Sequence, residues 1–339
     1  MSDLRVGVIG CGHWGPNHIR VFSQLSGSVV TSAADPDPMR RAAVITQYPH
    51  IECVPDHREL LRRRDVEAVV VAVPTALHYQ VTRDALEAGK HVLCEKPLCT
   101  DVRQAQALIA LAGARSLVLM TGHVFLFNPG IVMLKTLTDA GHVGRLYYLR
   151  ALRTNDGPIR ADVNCVYDLV SHDVSIFAFL LGCLPLSVSA TGAAFLQPGI
   201  EDLAFVTLRF PQDVVAQIQA SWLDPRKCRE IAVVGDRRMI VWDDLSSTGP
   251  VQIYDKGVVR EPYYQDYGQF HLLARDGDVV IPRVAPEEPL KIQNTHFLEA
   301  VQQGRAIRSD GPFALGVLKT LEAINASIGA GGASVCVPA

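Results

Sequence analysis

A glycine-rich segment near the start of the chain has the spacing of a phosphate-binding loop. Gly10, Gly12 and Gly15 form the pattern GxGxxG directly after the apolar run RVGVI, and Asp35 follows a second apolar run. Such glycines permit a tight turn and a close approach by a pyrophosphate, which the free amide groups at a helix start attract. An acid at the end of the next strand accepts hydrogen bonds from ribose hydroxyls and repels a 2′-phosphate. The pattern therefore predicts a dinucleotide site that prefers NAD to NADP.

Other side chains near this segment have two interpretations each. His13 and Trp14 lie inside it, and Trp14 either covers the cofactor or packs against apolar neighbours. Arg40 and Arg41 form a solvated helix face or reach a 2′-phosphate. His78 follows a strand end at the start of a predicted helix, where it either faces the cofactor or packs locally. We include His13, Trp14 and His78 in the predicted cofactor site.

Two further groups have the chemistry to handle a hydroxyl proton. Lys96 directly follows the predicted strand HVLCE, and an ammonium group beside a bound cofactor can hold a hydroxyl and stabilise alkoxide charge. Asp168 and His172 are four residues apart, so a helix places them on one face. An imidazole with an ordinary pKa of ~6.5 can accept and return a proton near neutral pH. A lone helical histidine is also often a buried structural residue, and Asp173 points elsewhere as a structural partner.

A polar segment before Asp168 supplies the candidate substrate contacts. Such side chains bind a phosphate, a carboxylate or a polyol, or they satisfy backbone groups of a loop. A histidine that follows another predicted strand joins them. The predicted substrate-binding residues are His123, Arg153, Asn155, Arg160, Asp162 and Asn164.

Composition narrows the class of protein. The chain has 339 residues, 48% hydrophobic and 20% charged, which suits a globular protein of about two domains. A net charge of -3 offers no basic surface for nucleic acid or an anionic membrane. The first residues lack a signal-peptide pattern, and no apolar run reaches the ~20 residues of a spanning helix. Eight scattered cysteines without CxxC or metal-ligand spacing favour a reduced, cytoplasmic protein without a metal site.

The elements that would position these residues change character along the chain. Over residues 1–122, strand and helix patterns alternate, which predicts a doubly wound parallel sheet that binds ligands at the carboxyl ends of its strands. From residue 123 to 339, strand-like runs with short turns predict a mostly antiparallel sheet with a few helices. We therefore predict an α/β protein with a Rossmann NAD-binding domain at 1–122 and a substrate-binding and oligomerisation domain at 123–339.

Several motifs together resemble the glucose–fructose oxidoreductase, inositol dehydrogenase and MocA family (Gfo/Idh/MocA) of nicotinamide-dependent sugar oxidoreductases. The resemblance covers nearly the whole chain. It implies a Rossmann domain followed by a large open-faced sheet whose free face makes a homodimer or homotetramer. The matching segments are the glycine-rich loop, PTALH (74–78), AGKHVLCEKPL (88–98), GHVFLFNPG (122–130), GPIRADVNCVYDLVSHDVSI (157–176) and EPLKIQNTHFLEAVQQG (288–304).

The resemblance also implies roles for individual residues. It places Lys96 beside the nicotinamide and the reacting hydroxyl, with a candidate cis bond to Pro97. It makes His172 the general base or acid, while Asp168 orients the sugar or shares the proton. It adds Pro74, Thr75 and Glu95 to the cofactor site.

The segment RTNDGPIRADVN resembles the subgroup that acts on nucleotide sugars or amino sugars, although Phe127 stands where many relatives carry tyrosine. The leading hypothesis is an NAD-dependent dehydrogenase that oxidises a secondary ring hydroxyl to a ketone in amino-sugar or secondary-metabolite biosynthesis. The alternatives are an inositol, aminocyclitol or aminoglycoside-ring dehydrogenase, a ketosugar reductase, and a non-catalytic NAD-binding sensor. A sensor needs none of Lys96, Asp168 and His172.

Overall fold

The structure is a computed structural model that describes residues 3–157, 159–255, 257–260, 272–275 and 277–338, the two short stretches by their backbone alone. Pro158 of the GPIR motif lies outside the described residues. The chain forms two compact units. The first unit comprises Met1–Phe127 and Glu287–Glu322, and the second comprises Asn128–Pro286 and Ala323–Ala339.

A six-stranded parallel sheet is the centre of the first unit. Its order is β3-β2-β1-β4-β5-β6, so the direction of strand addition reverses between β1 and β4. Residues such as Val6, Val8 and Val70 are fully buried, because helices cover both faces of a parallel sheet. The predicted Rossmann architecture is confirmed. The strands are β1 (Leu4–Ile9), β2 (Ser28–Ala34), β3 (Glu52–Val54), β4 (Ala68–Val71), β5 (His91–Glu95) and β6 (Leu119–Gly122).

Helices connect these strands. Three of them begin at aspartates whose side chains accept a hydrogen bond from the first turn: Asp37, Asp56 and Asp101. This capping fixes where each helix begins after its strand. The helices are α1 (Gly15–Gln24), α2 (Pro38–Gln47), α3 (His57–Leu61), α4 (His78–Glu87) and α5 (Val102–Ala114).

The second unit contains helices α6 (Pro129–Asp139) and α7 (Ser171–Leu181) and a nine-stranded sheet. Neighbouring strands pair antiparallel except β7 with β10, which confirms the predicted mostly antiparallel sheet. The sheet order is β16-β13-β12-β11-β7-β10-β9-β8-β17. Its strands are β7 (Leu146–Thr154), β8 (Ser187–Ala193), β9 (Leu203–Arg209), β10 (Val215–Ser221), β11 (Cys228–Gly235), β12 (Met239–Asp243), β13 (Val251–Tyr254), β16 (Val279–Val280) and β17 (Val335–Cys336), while β14 (Gly257–Arg260) and β15 (Leu272–Arg275) form a separate ribbon.

Among the residues that the structure describes, one face of the nine-stranded sheet is left partly exposed. Alternate residues of a strand point to opposite faces, and along β9 the buried Ala204 and Val206 flank Phe205, which is 42% exposed. Tyr148 is exposed to a similar extent, and Arg150 of β7 pairs with Glu230 of β11. This open face therefore combines aromatic surface with an ion pair.

The first unit is completed by chain that returns after the second. Helix α8 (Pro289–Gln303) packs against α1 and the short 3-10 turn Val124–Phe127, and helix α9 (Gly311–Gly329) begins in the first unit. Ser309 and Thr121 exchange hydrogen bonds of 2.7 and 2.9 Å. These units differ from the predicted ranges 1–122 and 123–339, because residues 287–322 make their contacts with the first unit.

Two kinds of feature are absent from the part of the chain that the structure describes. None of its helices combines the length and the apolar character that crossing a bilayer requires. Nor do the described residues bring together three or more histidine, cysteine, aspartate or glutamate side chains that could hold a metal ion.

Candidate functional site

The glycine-rich loop lies between β1 and α1, at the carboxyl end of the sheet. Gly10 has a φ of +94°, which an L side chain rarely adopts, and a Cβ on Gly15 would overlap the carbonyl oxygen of Gly10. Gly12 differs, since its Cβ would meet only Arg40 Nη1, at 3.6 Å. Two glycines are therefore required by the backbone, and the third leaves the loop open to a pyrophosphate at the start of α1.

Asp35 fixes the other end of the predicted dinucleotide site. Its carboxylate accepts hydrogen bonds from the backbone of Cys11, at 2.7 Å, and of Asp37, at 2.9 Å, and the side chain is only 3% exposed. Arg41 donates to the carbonyl oxygen of Asp35 at 2.7 Å, whereas Arg40 is half exposed and lies 3.7 Å from the carboxylate. The open glycine-rich loop and the fixed carboxylate of Asp35 fit NAD.

The remaining predicted cofactor residues lie around the same edge. The rings of His13 and Trp14 meet edge to face at 5.5 Å, and Trp14 is 39% exposed. Pro74 precedes a short 3-10 turn that begins at the buried Thr75. His78 is buried, with Nδ1 2.6 Å from the carbonyl oxygen of Pro97 and Nε2 3.0 Å from that of Val73. These contacts support a local packing role for His78 over direct cofactor contact.

Lys96 follows the last residue of β5, and its peptide bond to Pro97 is cis. The backbone amide of Lys96 donates to Glu95 Oε2 at 3.3 Å, and Glu95 Oε1 lies 2.9 Å from His18 Nε2. Burial by itself raises the pKa of Glu95, but the hydrogen bond from His18 and the charge of Lys96 hold that pKa below its usual value. Lys96 therefore lies beside a buried carboxylate.

His123 follows β6, the strand next to β5. It is 2% exposed, and burial together with the charge of Lys96 lowers its pKa to about 3. His123 Nδ1 has no hydrogen-bond partner among the described residues. The imidazole of His123 is therefore neutral, and its Nδ1 can accept or donate a hydrogen bond close to Lys96. Phe127, by contrast, is buried against His296 and the guanidinium of Arg308.

In the second unit, Asp168 and His172 lie on either side of a change in helix type. Asp168 belongs to the π-helical turn Val166–Val170, and His172 is the second residue of α7, where a single α-helix was predicted. Asp168 accepts hydrogen bonds from Arg160, at 3.3 Å, and from the indole of Trp222, at 3.1 Å. Single π turns inside helices frequently occur at functional sites. Here the π-helical turn carries the Asp168 carboxylate, which Arg160 and Trp222 orient, four residues before His172.

The predicted substrate contacts of the second unit bond to other groups of the same chain. Arg160 pairs with Asp162 at 2.6 and 2.9 Å beside Asp168, and Asn164 donates to Glu201 at 2.7 Å. Asn155 donates to the carbonyl oxygen of Gly157. Arg153 lies in a buried ion pair with Asp173, at 2.7 to 3.1 Å. That pair favours a structural role for Arg153 over the predicted substrate contact.

Three side chains that hold the candidate residues are absent from the sequence-based predictions: His18, Trp222 and Asn294. Each acts on a partner far away in the chain, at separations of 77, 54 and 276 residues respectively. The only local sign was that His18 lies in a helix just after the glycine-rich loop. No spacing rule connects it to Glu95.

Comparison with known proteins gives the family. A family model described as an oxidoreductase family with an NAD-binding Rossmann fold matches residues 4–123, and one for the GFO/IDH/MocA C-terminal domain matches residues 131–241. UDP-N-acetylglucosamine 3-dehydrogenase of Acidithiobacillus ferrooxidans is 31% identical over 315 residues, which is 92% of this chain and 93% of that protein. An inositol 2-dehydrogenase of Corynebacterium glutamicum is 30% identical over 222 residues, 64% of each chain.

Solved structures agree with the sequence relatives. A structure of UDP-N-acetylglucosamine 3-dehydrogenase from A. ferrooxidans superposes with a TM-score of 0.81 and 27% identity, covering 97% of this chain and 99% of that one. Both family models and this coverage extend across the two units described above. The cofactor is NAD, as the glycine-rich loop and Asp35 predict. The chain therefore belongs to the Gfo/Idh/MocA family of NAD-binding oxidoreductases.

Proposed function

We propose that this protein is an NAD-dependent dehydrogenase that oxidises a secondary ring hydroxyl of a nucleotide sugar or amino sugar to a ketone. The placement of Lys96 is the observation that carries the proposal. The lysine follows β5 at the carboxyl edge of the parallel sheet, the edge where such sheets bind dinucleotides, and it lies beside Glu95 and the neutral His123. Similarity to UDP-N-acetylglucosamine 3-dehydrogenase over 92% of the chain supports this class of substrate.

Each side chain has one step in the proposed reaction. Bound NAD supplies the hydride acceptor at nicotinamide C4. The ammonium of Lys96 donates a hydrogen bond to the reacting hydroxyl oxygen and stabilises the negative charge that develops there. His172 accepts the hydroxyl proton as a general base. Asp168, oriented by Arg160 and Trp222, holds the sugar or takes part in passing the proton on.

The same groups serve the reverse reaction, in which His172 returns a proton to a ketone and the product is an alcohol. A ketosugar reductase therefore uses the same residues, and only the direction of net turnover differs. Inositol 2-dehydrogenases match about two thirds of the chain, which keeps a cyclitol substrate as the second candidate.

We also propose that two or four copies associate through the open face of the nine-stranded sheet. Aromatic residues such as Tyr148 and Phe205 are about half exposed there, and buried aromatic anchors are typical of stable interfaces. Sedimentation of the full chain should show a dimer or tetramer, and Phe205→Asp should lower the mass toward a monomer. A parent protein that sediments as a monomer at micromolar concentration contradicts this.

The function is tested by turnover of a panel of nucleotide sugars, amino sugars, inositols and aminoglycoside intermediates, followed as NADH absorbance in both directions. We expect oxidation of a nucleotide or amino sugar. Lys96→Met and His172→Ala should each lower kcat by about 10²–10⁴-fold, the contribution typical of a proton-transfer group, while the Kd for NAD stays within about twofold.

Two exposed positions provide matched controls. Lys291→Met and His50→Ala remove the same side-chain types at exposed positions and should leave turnover unchanged. Normal turnover in both Lys96→Met and His172→Ala overturns the mechanism. A parent protein that binds NAD, turns over nothing in the panel and captures a protein partner supports the sensor.

A further inference from the structure

A buried polar chain joins helix α8 to the turn that carries Lys96. Asn294 Nδ2 lies 3.2 Å from His18 Nδ1, and His18 Nε2 lies 2.9 Å from Glu95 Oε1. His18 and Asn294 are fully buried, and Glu95 is 9% exposed. The second carboxylate oxygen of Glu95 accepts the backbone amide of Lys96 at 3.3 Å. Three elements of the first unit, α8, α1 and β5, therefore converge on one carboxylate.

The direction of each hydrogen bond follows from the chemistry of its partners. A carboxylate only accepts, so His18 Nε2 carries the proton in its bond to Glu95. An amide nitrogen only donates, so His18 Nδ1 accepts from Asn294. An imidazole with its proton on Nε2 satisfies both bonds, and Asn294 thereby favours that position of the proton.

The hydrogen bonds from His18 and from the backbone also fix the orientation of the Glu95 carboxylate. One oxygen is bound by His18 and the other by a backbone amide, so the carboxylate is held along its own turn. If His18 stops donating, a buried carboxylate oxygen loses its partner, which is costly in a low-dielectric interior. The charge of Lys96 already lowers the pKa of Glu95. Because Lys96 is the next residue in the chain, its ammonium can then replace His18 as the donor to that oxygen. That contact would draw the ammonium away from a substrate hydroxyl.

We propose that His18 and Asn294 are positioning residues for Lys96, holding Glu95 so that the lysine ammonium stays directed to the substrate. The inference rests on the proposed role of Lys96. Neither residue touches the reacting atoms. A displacement of a reacting group by about 1 Å can cost 10²-fold in rate, so even a small rotation of the turn has a measurable effect.

The test uses side chains that keep or remove a single donor. Glutamine places its amide nitrogen as many bonds from Cα as Nε2 of histidine, so His18→Gln keeps a donor for Glu95, whereas His18→Asn does not reach it. Asn294→Leu removes the donor to His18 at similar volume. Thr295→Val is the control on the same helix, since its hydroxyl donates to the carbonyl oxygen of Lys291 within α8.

We measure kcat with the panel compound that the parent protein turns over, the Kd for NAD by titration, and thermal stability. Asn294→Leu and His18→Asn should lower kcat about tenfold to a hundredfold with the Kd for NAD within about twofold. His18→Gln should stay within about threefold of the parent, and Thr295→Val should be unchanged. If His18→Asn does not fold, the kcat values of Asn294→Leu and His18→Gln test the proposal.

A second measurement needs neither cofactor nor substrate. In histidine-labelled protein, 15N NMR should show a proton on Nε2 of His18, assigned by the signal that His18→Gln lacks, and Asn294→Leu should shift its Nδ1 resonance. A His18 whose Nε2 carries no proton overturns the inference, as does an unchanged kcat in Asn294→Leu. If Lys96→Met keeps its turnover, the proposed function fails. If Lys96→Met is inactive while Asn294→Leu is not, only the positioning role fails.

Discussion

The ion pair between Arg153 and Asp173 allows a structural role to be separated from substrate binding. The side chains are 4% and 1% exposed, and three N···O distances of 2.7, 3.0 and 3.1 Å join them. Asp173→Asn leaves a buried guanidinium without its counter-charge. Removing one partner of a buried pair typically costs about 3–5 kcal/mol.

That cost translates into a thermal shift. A unit of this size loses roughly 2–4 °C in Tm per kcal/mol, so Asp173→Asn should lower the transition of the second unit by roughly 6–20 °C. Replacing both residues with apolar ones of similar volume is often neutral, so Arg153→Met/Asp173→Leu should recover most of the loss. Calorimetry of the parent, Arg153→Met, Asp173→Leu and the double variant gives the coupling between the residues.

Kinetics of the same four proteins, at a temperature where all are folded, complete the experiment. If Arg153 only stabilises the fold, the double variant keeps the KM of the parent for the sugar. A KM raised tenfold or more in a double variant of normal stability returns Arg153 to the substrate site. Single variants with an unchanged Tm refute the reasoning about burial.

Three other perturbations follow from the first unit. Gly15→Ala places a Cβ against the carbonyl oxygen of Gly10, so titration should show NAD binding weakened at least about tenfold, whereas Gly113→Ala, which has open space around it, should bind normally. Asp35→Ser removes the charge that repels a 2′-phosphate, and the ratio of kcat/KM for NADP over NAD should rise at least about tenfold; an unchanged ratio contradicts the role of Asp35. His123 is neutral when folded, with a pKa of about 3, and charges below about pH 6.5 when unfolded, so stability falls on acidification from pH 6.5 toward 3. The Tm of His123→Gln should therefore fall less than that of the parent between pH 7 and 5, and parallel Tm curves would argue against the buried neutral histidine.

Patterns in the sequence were sufficient for elements whose burial is uniform or strictly periodic. Strand β4 is apolar throughout and β1 is apolar except for the exposed Arg5, because helices cover both faces of this sheet, and that pattern predicted them. The sequence patterns predicted neither β3, which has three residues, nor β8, whose small residues SVSATGA lack an apolar alternation. Their places depend on neighbouring strands, which supply the pairing that the local sequence does not encode.

The candidate site divides in the same way. Gly10, Gly12 and Asp35 were predictable, because a turn and a phosphate impose a fixed spacing on one continuous segment. The π-helical turn around Asp168 and the bond from Asn294 to His18 were not. They arise from contacts between segments that are far apart in sequence, and no local period records them.

The return of residues 287–322 to the first unit sets an order of events during synthesis. A ribosome that adds roughly 5–20 residues per second needs on the order of 10–30 s to make the roughly 160 residues that separate the two segments. Through that interval His18 lacks Asn294, and Phe22 lacks the neighbouring ring of Phe297. Part of the interior of the nascent cofactor unit therefore stays exposed until residues 287–322 have been translated.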